Sequence, residues 1–88
     1  MGKQAMLSVD LNNVTSDQRR KFYDKLKDLD WIKVQKLTTL WRASFASNAS
    51  ESSVISTTKS DVKTSANYAS IIDYDAAVHV GDSAPTEF

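Results

Sequence analysis

Cysteine is absent from this chain, which removes disulfides, thiolate metal sites and a cysteine nucleophile together. Histidine occurs once, at His79, so a two-histidine acid–base pair cannot be built within one chain. Neither sign of charge is in excess: 11 Lys and Arg stand against 11 Asp and Glu, a formal net charge of zero. The long-range field that draws basic proteins onto nucleic acid is therefore missing, although a local basic face is still allowed. No run of about 18 apolar residues is present, so no membrane-spanning helix is expected. The opening residues lack the basic-then-apolar character of a secretory leader, and position 6 is Met where a myristoylation signal carries Ser or Thr. The expectation is a cytoplasmic protein. Two sequons, Asn13-Val14-Thr15 and Asn48-Ala49-Ser50, then read as loop and cap chemistry.

What is present fits one small domain. A chain of 88 residues buries roughly 60–65% of its unfolded surface, enough for a single modest core. Net stability on the order of 5–10 kcal/mol follows, so a dimer interface would matter to it. Residues 1–81 carry the periodic pattern; residues 82–88 form a polar tail that is expected to be flexible or to pack on a partner subunit.

The pattern switches period several times. Ala5, Leu7, Val9 and Leu11 alternate with Met6, Ser8 and Asp10, as in a half-buried strand. Thr15 and Gln18 have capping-box spacing, and Phe22, Tyr23, Leu26 and Leu29 then share one helical face. Asp17/Lys21 and Arg20/Asp24 are spaced for i,i+4 pairs on the other side. Period two returns from Trp31 to Ala46, too long for one strand, so a connection near 37–39 is expected although no Asn-Gly or Asp-Gly marks it. Asn48 and Glu51 offer a second capping box before Val54, Ile55, Thr58, Val62, Ala66 and Ala69 recur at helical spacing. A last alternation runs from Tyr74 to Val80, and Gly81 stops it.

The order β-α-β-β-α-β predicts a ferredoxin-like α+β domain. Its four-stranded antiparallel sheet takes the order 4-1-3-2, with two helices on one face. The helices should cover Leu7, Val9, Ile32, Val34, Trp41, Phe45, Val78 and Val80. Trp41 is thereby expected in the core, whereas Trp31, at a strand entrance, is left open between core and surface. The bare face should then show Ser8, Asp10, Lys33, Gln35, Arg42, Ser44, Asp75, Ala77 and His79. With the first and third strands running parallel, Asp10 and Asp75 come together with Ser44 beside them, and His79 lies at the other end near Met6.

Two readings of that face follow. Asp10 and Asp75 could hold Mg²⁺ through carboxylate oxygens. Ser44 would assist, and Arg42 and Lys33 would hold phosphate. Alternatively Met6, Leu40, Arg42 and Ala77 form an isologous dimer interface, with Arg42 answering Asp10 of the mate. The face lacks the row of aromatics by which RNA-recognition sheets stack bases.

A hydrophobic first strand ending in Asp ("LSVDLNN"), a charged helix ("SDQRRKFYDKLKDL") and a strand opening on an aromatic ("WIKVQ") resemble the small ferredoxin-like ribonuclease and antitoxin superfamily. That group includes VapD-like and GhoS-like proteins and the CRISPR-associated adaptation nuclease. The resemblance spans about the first forty residues. It implies a homodimer packed through its sheets, a phage, plasmid or defence setting, and RNA binding with metal-dependent cleavage in which Asp10 is the metal-binding residue. The neutral charge and single histidine favour a non-catalytic interaction or regulatory module needing no cofactor. An endoribonuclease using Mg²⁺ is the alternative.

Overall fold

The computed structural model describes residues 3–34, 40–46 and 48–81. The elements in chain order are β1 (Lys3–Leu11), α1 (Ser16–Asp28), β2 (Ile32–Lys33), β3 (Leu40–Phe45), α2 (Glu51–Tyr68) and β4 (Tyr74–Gly81). All four strands join one antiparallel sheet in the order β2-β3-β1-β4. With both helices over one face, this is the ferredoxin-like arrangement that the sequence predicts. The expected connection near 37–39 and the tail at 82–88 lie outside the described residues, as does Gln35.

One strand direction differs from expectation. β1 and β3 are antiparallel, with Lys3 opposite Phe45 and Ser8 opposite Leu40. The crossover through α1 sets β2 parallel to β1, and β3 reverses direction from β2, so β3 must oppose both. A second difference concerns which side of the sheet β2 shows. Ile32 pairs with Arg42 and is 50% exposed, while Lys33 pairs with the buried Trp41. Lys33 therefore lies on the helix side, its Nζ 4.8 Å from the Tyr23 ring centroid. Val34 is buried but stands outside the main core cluster.

Helix α1 begins as its sequence dictates. Thr15 accepts from the Gln18 amide (3.1 Å) while the Gln18 side chain accepts from the Thr15 amide (3.0 Å). Asp17 pairs with Lys21 at 3.6 Å, and with Arg20 in place of the expected Arg20/Asp24 pair. Helix α2 starts at Ser50 rather than Asn48, the Ser50 hydroxyl accepting from the Ser53 amide. The Ala49 amide closes a turn back onto the Ala46 carbonyl, which holds Asn48 outside the helix.

Both helices end alike. The Asp30 amide donates to the Lys27 carbonyl and the Trp31 amide to the Leu26 carbonyl. Ser70 and Ile71 repeat this on Asn67 and Ala66. These are Schellman caps, and each brings an apolar residue past the helix end back into the core. The left-handed positions are Asp30 (φ 70) and Ser70 (φ 58). A β-carbon there costs about 1–2 kcal/mol, and serine has little to offset it. Ser70→Gly should raise unfolding free energy by about 0.5–1 kcal/mol, read as a higher urea midpoint at unchanged slope.

The core joins alternate β1 residues to both helices: Ala5, Leu7, Val9 and Leu11 meet Phe22, Leu26, Trp41, Val54, Val62 and Ala66. Trp31, open in the sequence, is 2% exposed, and its indole N–H donates to Asp61 Oδ2 of α2 at 3.0 Å. Thr58 is satisfied by the Val54 carbonyl at 2.8 Å. The Ser65 hydroxyl is buried, with no partner among the described residues. Removing such a hydroxyl relieves a desolvation penalty, so Ser65→Ala should stabilise by about 1 kcal/mol. For a chain of this size that is a rise of about 4–8 °C in melting temperature by calorimetry.

Candidate functional site

Strand parity leaves the second face of the sheet free of helices, and register defines its layout. Ile32, Arg42, Met6 and His79 form one row across the strands; Leu40, Ser8 and Ala77 form the next. Ser44, Gln4 and Gly81 make a third row on one side, and Asp10 with Asp75 makes the far row on the other. Met6, Leu40 and Arg42 are half-buried, and Ser8, Ala77 and His79 are exposed.

Met6, Leu40, Arg42 and Ala77 thus form one contiguous patch around Met6 and Ser8. The residues assigned to phosphate and metal chemistry are brought together only in part. Asp10 and Asp75 are direct cross-strand partners, and both are exposed. Ser44 is not beside them: it lies opposite Gln4, six residues from Asp10, about 20 Å along the strand. There its hydroxyl exchanges hydrogen bonds with the Gln4 amide at 2.9 and 3.2 Å. The antiparallel direction of β3 is the cause. Arg42 faces Met6, about 13 Å from Asp10 along β1. Lys33 is on the opposite side of the sheet from Arg42, engaged with Tyr23, so the two cannot hold one phosphate.

The Asp10 corner has neighbours that sequence reading missed. The Asn12 side-chain amide donates to Asp75 Oδ2 at 3.2 Å and to Asp73 Oδ1 at 3.4 Å, and its backbone N–H donates to the Asp73 carbonyl at 3.1 Å. The polar break Asn12-Asn13 right after an alternating strand was the available signal; only the strand pairing reveals its partners. Among the described residues neither Asp10 nor Asp75 forms an ion pair, and no group of three or more His, Cys, Asp or Glu side chains is placed to hold a metal. Like charges directly opposite on a sheet repel. Asp10→Asn should therefore stabilise the monomer by about 0.2–1 kcal/mol at neutral pH, and urea unfolding at low salt will show it.

Against known proteins, the chain matches no family model, no curated sequence and no solved structure. Its class is accordingly defined by the fold: a ferredoxin-like domain with one sheet face that no helix among the described residues covers. Among the described residues no helix is long and apolar enough to cross a membrane.

Proposed function

We propose that this chain is a small homodimeric interaction or regulatory module, non-catalytic, of the kind used in toxin–antitoxin or mobile-element defence systems. Its working surface is the open sheet face. The observation that carries the reading is the patch of Met6, Leu40, Arg42 and Ala77, with exposed Ile32 at its rim. Apolar side chains interleaved with one planar cation and small polar groups suit a protein interface. Packed against a second copy, the same patch is self-complementary, Arg42 of each chain meeting the unpaired acidic corner of the other. The toxin–antitoxin setting is supported by the resemblance of the first forty residues.

Light scattering on the eluting protein tests this. The wild-type chain should run at twice the monomer mass. Met6→Glu should weaken the dimer at least tenfold while circular dichroism stays unchanged. A monomeric wild type defeats the reading.

The cross-strand Asp10–Asp75 pair favours a second reading, a metal-dependent endoribonuclease. The pair offers two of the oxygen donors that Mg²⁺ accepts, and Mg²⁺ there would stabilise charge on a scissile phosphate. Asn12 already engages one Asp75 oxygen, and Arg42 and Ser44 are too distant to complete the site. RNA incubated with the protein and Mg²⁺ should stay intact. Cleavage that disappears in Asp10→Ala would establish the enzyme instead.

A further inference from the structure

β4 is an outer strand of the sheet, and among the described residues no strand pairs with its far edge. It runs for eight residues without Lys, Arg or Pro, and its register with β1 continues unbroken from Gln4↔Gly81 to Leu11↔Tyr74. Long edges without lysine, arginine or proline recruit another strand unless something blunts them. The opposite edge is different: among the described residues β2 has two.

Which backbone groups are free follows from the ladder. The Asn12 N–H donates to the Asp73 carbonyl, and hydrogen-bonded pairs alternate with non-bonded ones along antiparallel strands. Asp75, Ala77 and His79 therefore turn their polar groups toward β1. Tyr74, Ala76, Val78 and Val80 turn theirs outward.

We propose that the occupant of this edge is β4 of a second copy, antiparallel, with the two-fold axis passing between the two Ala77 residues. In that register Ala76 faces Val78 of the mate and Tyr74 faces Val80, so every outward N–H and C=O finds a partner. Asp75 stands opposite His79 of the mate at both symmetric positions, so an imidazole N–H meets a carboxylate twice. Ala77 at the axis, a non-bonded pair where backbones approach most closely, has a side chain small enough to permit it. On the helix side, a groove of about 500 Å³ between α2 and β4, lined by Leu7, Val62, Ala76 and Val78 among others, borders the new strand and continues across the axis. The strands carry charge and size complementarity to themselves, which an unrelated peptide would have to supply by chance.

This interface lies at right angles to the open face and forms at high concentration: dilute protein is the face dimer of the proposed function, and edge pairing then joins such dimers into larger assemblies. The test is concentration-dependent amide exchange on the full chain, followed by NMR. In dilute protein the amides of Ala76, Val78 and Val80 should exchange fast while those of Ala77 and His79 are slow. At high concentration the fast set should become protected by tenfold or more. His79→Asp, which sets Asp against Asp twice, should weaken association roughly tenfold, and adding Asp75→His should restore it. Met6→Glu should leave the alternating pattern intact, which separates this edge from the face. Protection of the three amides at every concentration would mean that the chain covers its own edge, and failure of the double variant to recover would mean another register. Either result overturns the proposal.

Discussion

Trp41→Ala should cost about 3–5 kcal/mol, about half of the stability expected for a domain this small. Trp41 is fully buried on the helix side of β3, with the Tyr23 ring centroid 5.2 Å away. Its loss leaves a cavity at the contact between sheet and α1. At a urea slope of about 1–1.5 kcal/mol/M the midpoint should fall by about 2–5 M. Trp41→Phe should behave quite differently. Among the described residues the indole N–H has no hydrogen-bond partner, so the phenyl ring loses contact area but also removes an unsatisfied donor. A midpoint close to wild type is expected, and a collapse as deep as the alanine variant's would show that the indole nitrogen is satisfied after all.

The second large effect concerns Asp61. Its carboxylate accepts the hydrogen bond of the buried Trp31 indole, linking the chain just past α1 to the middle of α2. Asp61→Ala should cost about 1.5–3 kcal/mol, since a charge-assisted bond is lost and a buried donor is stranded. Trp31→Phe removes the donor as well as the bond. In a double-mutant cycle, Asp61→Ala should therefore cost much less on the Trp31→Phe background. Equal costs on both backgrounds would show that Asp61 acts elsewhere.

The fold was legible because each element announces itself locally. The alternation of Ala5 to Leu11 and the Thr15/Gln18 box are periods and spacings that need no tertiary knowledge. Ile32 and Lys33 were misplaced because a two-residue strand gives alternation nothing to choose between: either parity reads plausibly, and packing of Lys33 on Tyr23 decides. Asn48 lost the cap to Ser50 because both residue types cap well, and the competing turn at Ala46–Ala49 is a three-dimensional event. The site was harder. Asp10 opposite Asp75 follows from strand order, but Ser44 and Arg42 depend on strand direction, where one reversal shifts a residue by the length of the sheet. The roles of Asp73 and Asn12 are set by a loop meeting that no periodicity records.

Gln18 has a further consequence. Besides closing its own cap, its amide nitrogen donates to the Ser70 carbonyl at 3.0 Å, while Asn12 fastens the same pole to Asp73 and Asp75. The stretches 12–18 and 70–75, far apart in the chain, therefore cannot loosen separately. They should behave as one opening unit, released together at a single free energy below that of global unfolding.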